Sequence, residues 1–129
     1  MTIYGIELLE DNAAECRNNL LTVFSDYLRV DSEDIAYRAA SKVMELNIVQ
    51  GDALKMTTAE GKPITFPEWG YLGMGKFQRR DFEYSILAES SMWDADAMKG
   101  QDRLKDPGSH DIFTPLREFP TTSMEEIGA

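Results

Sequence analysis

The stretch Ile3-Tyr4-Gly5-Ile6-Glu7-Leu8-Leu9-Glu10-Asp11-Asn12 constrains the fold more than any other part of the chain. Ile3, Tyr4 and Ile6 have the apolar, β-prone character of a short strand covered on both faces. The chain then turns into a helix without a linker. Asn12, with Glu15 three residues on, reads as an N-cap and its capping-box partner. From there to about Arg29, the residues Ala13, Cys16, Leu20, Phe24 and Tyr27 recur at helical spacing, with Leu21 and Leu28 widening the stripe. A second helix is expected from Asp31 or Ser32, with Glu33 and Asp34 in its first turn. Its apolar face is Ile35, Ala39, Val43 and Leu46. Ile48-Val49 reads as a second strand that ends at Gly51-Asp52. Strand, helical layer and strand in that order predict a right-handed parallel crossover.

Parallel pairing brings the carboxyl ends of both strands to one edge of the sheet, where open α/β sheets take their ligands. Glu7 and Asp52 fall on that edge. One carboxylate can accept two hydrogen bonds from a ribose diol, and the other can accept from an exocyclic amine. Together they describe recognition of an adenosine. A strand-end glutamate alone is often no more than a solvated charge, so the pair is the informative feature.

Further along, Gly61-Lys62-Pro63 is a turn, and Ile64-Thr65-Phe66 is either a third strand or an extended arm. Pro63 and Pro67 argue against a central place for it in a sheet. Trp69, Tyr71 and Phe77 fall in a glycine-rich stretch read as a loop, with Gly70, Gly73 and Gly75. Lys76, Arg79 and Arg80 form the one basic cluster. Interleaved with aromatics, they are candidates for nucleic-acid contact, against the plainer reading of a solvated loop over a satellite core. Asp81 to about Ser91 reads as a short helix, and the charged stretch 94–109, broken at Pro107-Gly108, reads as weakly ordered. His110 has no acid, base or metal partner in view. Phe113, Pro115, Leu116, Phe119 and Pro120 suggest an extended arm that docks on the body. The organisation expected is an α/β domain over 1–92 and an acidic, extended arm over 93–129.

Composition removes several classes. A chain of 129 residues can bury one real core. No apolar run approaches the roughly 20 residues of a membrane span, and the first residues lack a leader's basic start. Cys16 alone excludes an internal disulfide, and one histidine leaves little for a zinc site. A cytoplasmic protein without a metal is expected. The net charge of −10 divides into −3 over residues 1–80 (12 acidic, 9 basic) and −7 over 81–129 (11 acidic, 4 basic). Free DNA would be repelled by the second part. Such an acidic segment is solubilising, or less commonly a mimic of DNA phosphates.

Tyr4-Gly5-Ile6-Glu7-Leu8-Leu9-Glu10-Asp11-Asn12 with Glu15-Cys16-Arg17, and Asn47-Ile48-Val49-Gln50-Gly51-Asp52-Ala53-Leu54, resemble the second and third cofactor motifs of S-adenosylmethionine-dependent DNA methyltransferases, most closely the adenine-specific restriction–modification type. Ile64 to Trp69, Lys76 to Phe82 and Arg117 to Pro120 resemble the C-terminal part of short bacterial and phage-borne members. The resemblance implies a partial Rossmann-like methyltransferase sheet of parallel strands and crossover helices. It implies that Glu7, with Leu8 beside it, holds the ribose, that Asp52 contacts the adenine amine, and that Ala53 lies against the ring. The family's glycine-rich first motif would precede Ile3, and its Asn/Asp-Pro-Pro-Tyr/Phe motif, which holds a flipped base, is not among these residues. The expectation is therefore a fragment or subunit of a DNA adenine-N6 methyltransferase, inactive alone, with S-adenosylmethionine bound weakly or not at all. A complementing subunit or a homodimer through the Ile3–Ile6 edge would complete it, and DNA would be met only within that complex. The alternatives are an acidic phage or mobile-element protein that inhibits or regulates a defence or host protein, and a degenerate truncation product.

Overall fold

β1 (Gly5–Glu7) and β2 (Ile48–Asp52) run parallel and adjacent in the computed structural model, which describes residues 3–88 and 114–129. Between them lie α1 (Glu10–Leu28) and α2 (Ile35–Asn47), so the two-helix crossover is present as expected. Its details differ. The N-cap of α1 is Leu9, with no side-chain cap, and Asn12 sits inside the helix with its N–H on Asp11 Oδ1 at 3.0 Å. Glu10 and Asp11 already suit the first turn, so the helix starts as soon as β1 ends. Arg29 ends it in the left-handed region (φ 55°). The expected start of α2 at Asp31 or Ser32 is a turn instead. Asp34 Oδ2 accepts from Asp31 N–H, Asp31 Oδ1 accepts from Glu33 N–H, and Asp34 is the N-cap.

Ala13 and Leu21 of α1 and Ala39, Ala40 and Met44 of α2 are buried. α1 packs on α2, and side chains as small as these alanines let packed elements approach closely. Tyr27 and Leu28, placed on the apolar stripe by periodicity, are exposed, because the last turn of α1 runs past this contact. Ile35 is likewise exposed at the start of α2. Arg17 reaches across to the Ile48 carbonyl with Nε (2.9 Å) and Nη2 (2.7 Å). Asn47, fully buried where α2 passes directly into β2, donates from Nδ2 to the Ile3 carbonyl at 3.0 Å. These two side chains hold the start of each parallel strand.

β3 (Thr57–Thr58) pairs antiparallel with β2, and Thr57 bridges to Pro63, which carries the chain to the fully buried Ile64. A second, antiparallel sheet follows. β4 (Thr65–Gly73) and β5 (Lys76–Glu83) form a long hairpin, so the Trp69–Phe77 stretch read as a loop is sheet. β4 is an edge strand in this sheet, as Pro67 requires. The helix expected from Asp81 is strand through Glu83 and helical over 84–88. The readings of 94–109, His110 and Phe113 lie outside the described residues.

Of the expected C-terminal arm, the described residues 114–129 dock on the far side of β5. β6 (Arg117–Glu118) and β7 (Thr122–Ser123) both pair with β5, and a short helix, Met124–Ile127, closes the chain against α2. It does not cover the Ile3–Ile6 edge. Among the described residues β1 has β2 as its only backbone neighbour, and Ile3 and Tyr4 remain partly exposed. The two sheets meet through aromatic rings. Tyr4 packs on Phe66 at 5.0 Å, Phe66 meets Tyr84 edge-on at 5.8 Å, and the Tyr4 hydroxyl donates to the Pro67 carbonyl at 3.0 Å. Burial there, and secondarily the Glu68 carboxylate, raises the Tyr4 phenol above its ordinary value. The structure is thus mixed α/β, with one parallel strand pair and antiparallel additions on either hand.

Candidate functional site

The carboxyl ends of β1 and β2 form the edge on which the ligand reading rests. Their register sets Glu7 opposite Gln50, so Asp52 lies two residues further along the neighbouring strand. With strands about 4.8 Å apart and about 3.3 Å per residue, the two α-carbons are roughly 8 Å apart. One nucleoside-sized ligand can touch both. Gln50 Nε2 donates to the Leu8 carbonyl at 3.3 Å, which ties the two strand ends together as the chain leaves β1.

Asp52 also has a local task. Its Oδ1 accepts from the N–H groups of Leu54 (2.9 Å) and Lys55 (3.1 Å), an Asx turn that ends β2. Oδ2 has no partner among the described residues, so the carboxylate can serve the turn and a ligand together. A concavity of about 420 Å³ opens beside it, with Leu8, Asp52, Lys55, Thr57 and Thr58 in its lining. The four expected site residues therefore separate. Leu8 and Asp52 line the concavity. Glu7 is half-buried on the strand and outside the lining, and Ala53 is exposed in the turn.

α1 begins three residues after Glu7, so its N-terminus lies beside this same edge. Glu10 and Asp11 occupy its first turn. Two carboxylates against the positive end of the helix dipole leave no welcome for a phosphate, whereas an uncharged nucleoside face meets no such repulsion.

The basic residues disperse. Successive side chains of a strand point to opposite faces, so Arg79 and Arg80 lie on different sides of the hairpin. Arg79 holds Asp81 with two hydrogen bonds, 2.8 and 3.0 Å, and its guanidinium lies over the rings of Phe119 (4.2 Å) and Trp69 (5.7 Å). Arg80 pairs with Glu68 directly across the hairpin at 2.6 Å. Lys76 is exposed at the start of β5. Two of the three cations are thus matched by carboxylates of the same sheet, which lowers the field they present to a nucleic acid.

Sequence reasoning passed over Lys55, Thr57 and Thr58, which join Asp52 in the concavity. Their signal was the β-prone Thr57-Thr58 pair soon after a Gly-Asp strand end. Asn47 entered only as the first residue of a motif, without a role of its own, although its polar side chain between two apolar segments marks the helix-to-strand joint. Among the described residues, no three His, Cys, Asp or Glu side chains group as a metal site, and no helix is long and apolar enough to cross a membrane. Compared with family models, curated proteins and solved structures, the chain matches none.

Proposed function

We propose that this chain is a fragment or subunit of a DNA adenine-N6 methyltransferase of the restriction–modification type. On this reading it keeps, on a partial Rossmann-like sheet, the adenosine half of an S-adenosylmethionine site. The observation that carries the reading is the parallel β1–β2 pair with Glu7 and Asp52 at its carboxyl ends, joined by a helical crossover. Leu8 and Asp52 in the concavity fit the adenine, while Glu7 would reach the ribose from outside the lining and Ala53 takes no part. Asp52 has a carboxylate oxygen without a partner among the described residues for the exocyclic amine, Leu8 offers an apolar wall, and Glu7 on the adjacent strand would take the ribose hydroxyls. The concavity offers the methionine end no matching glycine-rich turn, so only the adenosine part is held. When bound, the cofactor supplies the methyl group. This chain's part is to bind and orient the adenosine. No Pro-Pro sequence is present to hold a target base, so methylation and DNA contact belong to a complex with a complementing subunit.

Ligand-observed NMR with S-adenosylmethionine, S-adenosylhomocysteine and adenosine tests this. All three are expected to bind alike, no tighter than about 1 mM or roughly −4 kcal/mol, because only their common part is held. Asp52→Asn keeps an Oδ1 acceptor for the Asx turn but turns the free oxygen into an amide donor. It is expected to abolish binding without lowering the melting temperature. Absence of binding at about 10 mM, or binding indifferent to both Asp52→Asn and Glu7→Gln, would sink the proposal.

A further inference from the structure

The tip of the β4–β5 hairpin is built from residues that its own turn does not call for. Gly73 pairs with Lys76, so Met74-Gly75 is a two-residue connection, with φ values of 52° and 72°. Two positive φ angles define a type I′ turn, whose first position favours Asn, Asp or Gly. Met74 stands there, 99% exposed, and behind it Leu72 and Tyr71 are 55% and 65% exposed. Tyr71 serves the hairpin itself, its hydroxyl accepting from Gly75 N–H at 3.2 Å and its ring packing on Phe77 at 5.1 Å, but among the described residues neither turn geometry nor burial accounts for Leu72 and Met74.

Next to this knob lies a matching hollow. An apolar groove of about 360 Å³ runs between the end of α1, the face of α2 and the base of the hairpin, lined by Phe24, Leu28, Ala40, Val43 and Phe77. Tyr71 belongs to both features. A knob and a hollow side by side are self-complementary about a two-fold axis, since each copy's knob meets the other's hollow. We infer that two copies of this chain associate in this way, with Leu72 and Met74 of each inserted into the groove of the other. The exposed surface of Tyr71, Leu72 and Met74, with Leu28 and Met124 of the groove lining, is roughly 600 Å² per copy, the low end of what one partner brings to a specific interface. The β1 edge offers less, because Tyr4 is already packed against Phe66. Each copy carries a net charge of −10, so long-range repulsion opposes the pair and salt relieves it.

Sedimentation velocity of the full chain tests the pair, from about 1 µM to about 1 mM protein at low and at roughly 0.5 M salt. A dimer is expected, tightening several-fold with salt. Met74→Asn suits the turn and removes the knob. It should raise the dissociation constant at least tenfold while the melting temperature stays or rises, which excludes misfolding as the cause. Leu28→Glu in the groove should weaken the dimer similarly, and Ile3→Lys on the β1 edge should not. A monomer at about 1 mM would overturn the inference, and would mean the groove is covered from within the chain or left open. A dimer lost with Ile3→Lys but indifferent to Met74→Asn would overturn it too, by placing the interface on the β1 edge.

Discussion

Gly51 shows how one missing side chain shapes the edge where β2 ends. A Cβ added there would lie 2.7 Å from the Thr57 carbonyl oxygen and 2.9 Å from Ile64 Cδ1. The first is backbone and cannot step aside without moving β3. Gly51→Ala is therefore expected to destabilise by about 2 kcal/mol or more, read as a lower urea midpoint with an unchanged slope. Asp52 beside it illustrates a different point. Its residue type was chosen from the sequence for a ligand, and half of its carboxylate turns out to serve the chain's own turn. Substitution by alanine would confound the two roles, and the asparagine variant separates them.

Among the elements, the Met124–Ile127 helix depends on a single residue more than any other. Ser123 Oγ accepts from Glu126 N–H, and Glu126 Oε2 accepts from Ser123 N–H at 2.7 Å, a complete capping box. The Ser123 backbone N–H first, then the Thr122 hydroxyl, hold the Glu126 carboxyl below its ordinary value. A carboxyl lowered by folding contributes its full stabilisation above its unfolded pKa, about 4.3, and loses it as the pH falls through the lower folded value. This helix should fray first on acidification, seen in the Glu126 amide resonance, and Glu126→Gln should remove that pH dependence. The elements up to β2 were legible because hydrophobic periodicity marks α1 from Ala13 to Phe24 and α2 from Ala39 to Leu46, with the polar Asp31–Asp34 between them and Ile48-Val49 following as a strand. The hairpin was not. Gly70, Gly73 and Gly75 read as loop punctuation and masked the alternation of Trp69 and Tyr71 on one strand with Phe77 and Arg79 on the other. Gly70 simply lies within a strand with room beside it. The separation of Glu7 and Ala53 from the concavity was also illegible, since it follows from where β3 turns back rather than from any motif.

At the scale of the molecule, one parallel pair and one antiparallel hairpin are joined by Tyr4, Phe66 and Tyr84, and the C-terminal residues complete the second sheet only. That last feature has a kinetic consequence. β4 and β5 are neighbours in sequence and can zip together locally, but β6 and β7 reach β5 from roughly forty residues further along the chain. Closing so long a loop costs entropy before any ladder bond is formed, and non-local strand pairing is correspondingly slow. The hairpin should therefore exist for a time with the far edge of β5 bare, and a bare edge recruits other chains. Stopped-flow refolding is expected to show two phases. The slower should report the Arg79–Phe119 stacking and disappear with Phe119→Ala; a single phase unaffected by that substitution would show the arm and the hairpin folding as one unit. In the interval between the phases the protein is most exposed to aggregation, so its yield on refolding should fall as concentration rises even though the finished sheet is closed on that side.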